Sequence, residues 1–435
     1  SRGGIGLIRK SAAGFLMMMA LLACADRGEP EDVAPQPEEE TPPAADPEIL
    51  DLLLVTGSDG RVTVIDPDGT PVRELRGPVG PGHPSLQPTW SPVSVDGRRL
   101  VAWTELGEEG AFSIALGDVN TGVTTRYPAP LAPFYYYWSP DATLLAFLGQ
   151  NAFSPLEMGV LDYRRDSVEM VATGQPFYFD WRPDSRAILA HVSEAMSLLT
   201  LAGEAWSSKD IPIRPGRFQA PAWISGDRIL FVTPMSQGSV KVGLGVARNA
   251  QDDASAPQRL KLSDLEAGSV LTLADLDGAA IFEPDPTGKW VAVYEYSGPL
   301  RVFDLEGGGE TVVSESQVAA FQWSPVGDRL LFMEVDRQAR ALKPRVWDGR
   351  DTLDFPSFLP SRVWVVQYLP FWDQYSRSLT LWSPKGDAFT YPGMPTPNAE
   401  DQIFVQRLDE PEPTTVGDGV FASWSPAPRD RVQGS

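Results

Sequence analysis

One short pattern recurs through this chain and limits what it can fold into. An apolar or aromatic run leads into Trp-Ser-Pro, then an acidic or Gly turn, then a second apolar run. It reads PFYYYWSPDATLLAFL around Trp138, PFYFDWRPDSRAILAHV around Trp181, VAAFQWSPVGDRLLFM around Trp323 and RSLTLWSPKGDAFTY around Trp382. Weaker copies lie at Trp90 (PTWSPVSVDGRRLVAW), Trp223 (APAWISGDRILFV) and Glu283 (IFEPDPTGKWVAVY), and an incomplete one, VFASWSPAPRD, at Trp424. These anchors are 48, 43, 42, 60, 40, 59 and 42 residues apart. A repeat of this length sets the architecture before any other consideration.

Between anchors the chain shows short alternating apolar runs broken by Gly, Asp, Asn and Pro, the pattern of antiparallel strands and tight turns. Four such strands per repeat form the blade of a β-propeller, so the expected fold is all-β over residues 50–435. The two long intervals coincide with a polar insertion, NAQDDASAPQR, and an irregular stretch containing FWDQYSRS. The ends supply the closure. Three strands follow Leu50 with no Trp-Ser-Pro strand before them, and VFASWSPAPRD is one strand with nothing after it. Together they complete one blade and leave no free edge. That count gives eight blades; seven is the alternative, if the Trp223 and Glu283 units are one distorted blade.

The repeat itself reads as packing. Alternation along the strand puts Phe134, Tyr136 and Trp138 on one face, and Phe177, Phe179 and Trp181 likewise. A large flat ring there fills the wedge between blades, burying roughly 150–250 Å². Pro fixes φ entering the turn, and the following Asp or Gly tolerates the reversal. Trp90, Trp138, Trp181, Trp223, Trp323, Trp382 and Trp424 are therefore expected to be structural.

Residues 1–23 have the shape of an export signal: Arg2, Arg9 and Lys10, then an apolar run from Ala12 to Ala23 that is too short for a transmembrane helix. Its end, Leu21-Leu22-Ala23-Cys24, resembles a bacterial lipobox, which implies lipidation of Cys24, the only cysteine. Ala25 after it favours the outer over the inner membrane by the same resemblance. Residues 24–49 then form an acidic, Pro-rich spacer, EPEDVAPQPEEETPPAADPE, with too few apolar residues for a core.

The formal charge of −22, from 58 acids against 36 bases, argues against a nucleic-acid partner. A single cysteine excludes an intrachain disulfide and a Cys-based metal site. His191 reads as a packed cross-strand residue and His83 as a surface one. Acid pairs such as Asp66 with Asp68 and Asp275 with Asp277 read as turn carboxylates too scattered to specify calcium, and Gly307 to Gly309 as a hairpin. No metal or cofactor is expected.

Repeats of the form Trp-Ser-Pro-Asp-Gly followed by an apolar strand resemble the TolB-like propeller repeat, also found in the non-catalytic propeller of prolyl oligopeptidases. The match rests on Trp138-Ser-Pro-Asp, Trp181-Arg-Pro-Asp, Trp323-Ser-Pro-Val-Gly-Asp and Trp382-Ser-Pro-Lys-Gly-Asp. The resemblance implies an extracytoplasmic scaffold with protein partners at the bacterial envelope. TolB carries an α/β domain ahead of its propeller, whereas here a signal and a spacer fill that place.

The expected function is a non-catalytic, lipid-anchored, periplasmic-side scaffold that binds a protein or ligand in the cell envelope. It would be held to the membrane through Cys24. The alternative is a hydrolase or lyase acting on a sugar or peptide through carboxylates in the central funnel. A peptidase domain is not expected, because no Gly-x-Ser-x-Gly motif occurs. The candidate binding surface lies where the repeat is broken, at Trp372, Asp373, Tyr375 and Arg377, residue types common in interface hot spots. Packing over an end of the propeller is the competing account of that segment.

Overall fold

A computed structural model describes residues 50–427, apart from 81–86, 108–109, 152–153, 217–218, 236–255 and 297. Eight sheets, each of four antiparallel strands, form eight blades. Blade 1 takes three strands from residues 53–76 and its innermost strand, Phe421–Trp424, from the far end. Blades 2 to 8 follow in order over residues 89–129, 132–174, 177–211, 222–276, 280–314, 318–354 and 359–418. The Trp223 and Glu283 units are separate blades, so the count is eight. Closure is by pairing of Leu53 with Trp424 and of Thr56 with Phe421.

The Trp-Ser-Pro serine closes the hairpin after the innermost strand. Ser139 Oγ accepts the Leu144 N–H at 3.0 Å and donates to Asp141; Ser383 Oγ accepts from Ala388 and donates to Asp387. Ser425 does the equivalent across the closure, accepting the Leu52 N–H at 3.3 Å and donating to the Leu50 carbonyl. The last Trp-Ser-Pro is thus a full repeat turn whose second strand comes from the start of the propeller.

The tryptophans join neighbouring blades by a hydrogen bond as well as by area. The indole N–H of Trp138 donates to Thr89 O at 3.4 Å, that of Trp181 to Tyr137 O at 3.0 Å, and that of Trp382 to Gln322 O at 3.0 Å. Trp90 and Trp323 do the same to Ser423 and Glu283. In each pair the acceptor is the residue just before the anchor position of the preceding blade. Trp223 and Trp424 are buried, and their indole N–H groups have no partner among the described residues. Trp223 sits where its strand shifts register, and Trp424 follows the one blade whose innermost strand is interrupted.

Two sequence assignments shift by a residue. Trp323 pairs with Leu330, seven positions on, and Pro284 pairs with Val291 in the same way. The anchor position of blade 6 is therefore Pro284, and Glu283 corresponds to Gln322. Asp285 takes over the serine's task, accepting the Trp290 N–H at 2.6 Å. In blade 3 a register shift between Pro133 and Tyr135 breaks the alternation. Tyr136 and Trp138 pack towards blade 2, whereas Phe134 packs with the cluster around the central channel. Phe177, Phe179 and Trp181 do share one cluster.

Candidate functional site

Blade 8 departs from the other seven in its innermost strand. Leu359 and Pro360 pair with Met394 and Gly393, the chain then leaves the sheet, and it returns for Trp382 to pair with Phe389. The detour runs from Ser361 to Leu379 and enters the central channel. It contains a π-helical turn, Trp364–Tyr368, a 3₁₀ turn, Leu369–Phe371, and the short helix α1, Trp372–Ser378. Pro370 at the start of the 3₁₀ turn fixes φ where an N–H would be unpaired in any case.

This insertion reaches the inner wall on every side. Tyr368 stacks on Phe421 of blade 1, with centroids 4.0 Å apart and planes within 7°. Gln87, just before blade 2, donates to Ser378 Oγ at 2.9 Å. Gln374 fixes blades 3 and 4 together. Its amide donates to Tyr135 Oη at 2.7 Å and to Phe179 O at 2.9 Å, while its Oε1 accepts the Phe179 N–H at 2.8 Å. Tyr135 Oη in turn donates to the Gln374 carbonyl. On the blade 7 side, Trp372 Nε1 donates to Phe321 O at 3.0 Å and the Gln322 amide donates to the carbonyls of Ser376 and Leu379. Trp364, Tyr368, Trp372, Tyr375 and Leu379 belong to one apolar cluster with Tyr135, Phe179, Phe358 and Phe421.

The charges are concentrated on the side facing blades 4 to 6. Arg377 and Asp180 form an ion pair at 3.0 Å with side chains only 7% and 8% exposed. Asp180 is otherwise satisfied by the Tyr137 hydroxyl and the Trp223 N–H, both at 2.8 Å. Arg377 also donates to the carbonyls of Asp373 and Ala220. Asp373 accepts the Ala220 N–H at 3.3 Å, and burial pushes its carboxyl up to about 6. Glu283 accepts the Trp323 N–H at 3.2 Å, and burial pushes it up to about 8 against the pull of that bond and of Arg377. Among the described residues, no group of three His, Cys, Asp or Glu converges as a metal-ligand set.

The residues singled out in the sequence are thus brought together, but inside. Trp372 is 2% exposed, and Tyr375 and Arg377 are turned into the wall. The outward residues of the insertion are Arg362, Val365, Val366, Pro370 and Phe371, with Val366 62% and Phe371 50% exposed. Ser361 donates to the Val420 carbonyl and Tyr368 stacks on Phe421, so this part of the insertion lies at the end where the innermost strands begin, here called the upper face. Nothing in the sequence marks Val365, Val366 and Phe371 as different from core residues; only the placement of the insertion does.

His191 is buried between Gln219 O and Ser193 O, at 3.0 and 3.2 Å, and burial lowers its pKa. Asp66 accepts the N–H groups of Asp68 and Thr70 in a turn, and Asp304 does the same for Glu306 and Gly307 in the glycine hairpin. His83 and Cys24 lie outside the described residues.

No protein-family profile matches the chain, and no curated protein matches it. Solved structures share the fold. A eukaryotic initiation factor is 12% identical with a TM-score of 0.54, covering 88% of this chain and all of its own. An oligogalacturonate lyase in complex with manganese is 12% identical with a TM-score of 0.47, over 73% of this chain and 84% of its own. TolB from Acinetobacter baumannii is 16% identical with a TM-score of 0.37, over 70% and 63%. At these identities the likenesses concern the fold alone.

Proposed function

We propose that this protein is a non-catalytic binding scaffold of the bacterial envelope, a TolB-like propeller that presents the exposed part of its channel insertion to a protein partner. The observation that carries this reading is the insertion. It occupies the space in which a funnel enzyme would hold substrate, and it commits Trp372, Gln374 and Arg377 to the wall. What it leaves outward is mostly apolar, Val365, Val366, Pro370 and Phe371, with Arg362 beside them. Apolar side chains at the centre of a broad face are the pattern of a docking surface. The funnel-enzyme reading has two raised carboxyls, Asp373 and Glu283, but each already accepts a main-chain N–H.

In this reading the lipid on Cys24 anchors the chain to the outer membrane and the acidic stretch 24–49 spaces the propeller from it. Two experiments test the two halves. A photo-crosslinking residue at Val366 should give one discrete adduct in intact envelopes, while the same residue at Val326, exposed in the turn after Trp323, should not. No adduct at Val366, or the same adduct at both positions, refutes the docking surface. Cys24→Ser should move the protein from the membrane to the soluble fraction; retention would refute the anchor.

A further inference from the structure

At the upper end of the channel, on the side of blades 4 to 6, one carboxylate lacks a cation of its own. Asp373 lies in the first turn of α1 and accepts the Ala220 N–H at 3.3 Å, but no ion pair reaches it among the described residues. Two tyrosines approach it. Tyr178 precedes Phe179 as Asp373 precedes Gln374, and the Phe179 N–H donates to Gln374 Oε1. On its other side the Tyr178 ring meets His191 at 6.0 Å, and His191 Nδ1 meets the carbonyl of Gln219, the residue before Ala220. Tyr178 is 6% exposed, yet its hydroxyl has no hydrogen bond among the described residues. A buried tyrosine hydroxyl ordinarily has a partner. Tyr296 comes from blade 6. It follows the strand Trp290–Glu295, and its N–H donates to Ala279 O at 3.3 Å beside the start of the innermost strand. The residue is 59% exposed and its ring meets Tyr294 edge-on at 6.2 Å, while its hydroxyl end is turned inwards and is also unbonded among the described residues. Burial and then the Asp373 charge raise both phenols, Tyr296 up to about 12, so both hydroxyls lie in the field of that carboxylate.

The local charge count is negative. Arg377 is the one cation whose charge reaches Asp373, and it is committed to Asp180 at 3.0 Å. Arg301 of blade 6 is committed to Glu295. Arg214 and Arg362, exposed elsewhere on this face, act on none of the three groups. Asp277, exposed just before the innermost strand of blade 6, adds a carboxylate with no ion pair among the described residues; its N–H donates to Glu295 Oε2 at 2.8 Å. A buried carboxylate without a paired cation is costly, and phenol rings and hydroxyls beside it are the surroundings that accept an ammonium or guanidinium group.

We infer that Asp373, Tyr178 and Tyr296 form a notch for a basic side chain, lysine or arginine, of the protein partner that docks on the upper face. The cation donates to the Asp373 carboxylate and to the two phenol oxygens, and the exposed Tyr296 ring covers its stem. Phe371, two residues before Asp373 and 50% exposed, gives the notch an apolar rim. The inference takes its partner from the docking surface proposed above and adds the chemistry that the partner must bring. A chain of net charge −22 attracts such a group.

The test uses blocked tripeptides as probes on the whole folded chain, by calorimetry at low salt. Acetyl-Phe-Arg-Phe-amide should bind, and the same peptide with citrulline, which keeps the shape of arginine without its charge, should bind about tenfold more weakly or less. Asp373→Asn should weaken the arginine peptide about tenfold or more, to the level of the citrulline one. Asn keeps an acceptor for the Ala220 N–H and removes an unpaired charge, so thermal unfolding should not fall. Tyr296→Phe repeats the test on an exposed ring, outside the insertion, and should weaken the arginine peptide alone. No binding of the arginine peptide, equal binding of the citrulline one, or indifference to Asp373→Asn overturns the notch. Free guanidinium binding as tightly as the peptide would also overturn it, since the ligand would then be a small cation. The Val366 crosslink separates this inference from the reading it rests on. No adduct, with peptide binding that still depends on Asp373, removes the docking surface and leaves the notch. An adduct as strong in Asp373→Asn as in the parent removes the notch and leaves the docking surface.

Discussion

At the scale of single residues, the propeller is held by donors and acceptors that each blade lends to the next. The indole N–H of five anchors reaches back to a carbonyl of the preceding blade, and side chains just before the anchor reach forward. Asp180 accepts the Trp223 N–H, Glu283 the Trp323 N–H, and Gln322 the Leu381 N–H. Using a carboxylate for this has a pH consequence at Glu283. Its carboxyl titrates near 8 in the folded chain, above its ordinary 4.5, because burial disfavours the charge. The folded state therefore holds the proton more tightly. The stabilisation is complete below about 4.5 and is lost as pH rises through about 8. Glu283→Gln keeps an acceptor for Trp323 without the titration. The urea midpoint should fall between pH 6 and pH 9 in the parent and fall less in the variant, a difference of about 1–3 kcal/mol at most. Parallel profiles would show that Glu283 does not hold its proton.

At the scale of elements, the insertion is the part that the sequence showed least. Its existence was legible as the interval of 59 residues between Trp323 and Trp382, and FWDQYSRS was visibly irregular. Its destination was not. α1 has seven residues, too few for a helical period to stand out, and its partners are far away in sequence: Gln374 meets Phe179 and Tyr135 across 195 and 239 positions. The hydrophobic types of Trp372 and Tyr375 fitted an exposed hot spot and a packed core equally, and only the fold decides which they are. Gln374 was invisible for the opposite reason, since an isolated Gln carries no pattern. Gln374→Leu keeps much of the volume but strands the Phe179 N–H and the Phe179 carbonyl in a buried site, while the Tyr135 hydroxyl keeps its bond to the main-chain carbonyl of residue 374. At about 1–3 kcal/mol for each of the two unmet groups, the loss should be about 2–6 kcal/mol in chemical denaturation. A loss under about 1 kcal/mol would mean that Gln374 does not join blades 3 and 4.

At the scale of the whole molecule, the architecture was readable because the repeat states it eight times. The closure, with Trp424 beside Leu53, was legible in the unmatched last copy, and the count of eight was settled once the Glu283 unit proved to be its own blade. The one-residue shift there has a simple cause: Pro284 and Asp285 replace Trp and Ser, so only the turn residues remained to align by. What makes this propeller unlike an open ring is the chain segment in its centre, and hydrogen exchange of the unmodified protein tests that directly. Amides such as Leu379, bonded to Tyr375 O, and Leu381, bonded to Gln322 Oε1, should exchange as slowly as the innermost strands, while those of the loop 395–401 should exchange fast. Peptides covering 372–381 that exchange as fast as that loop would contradict a filled channel.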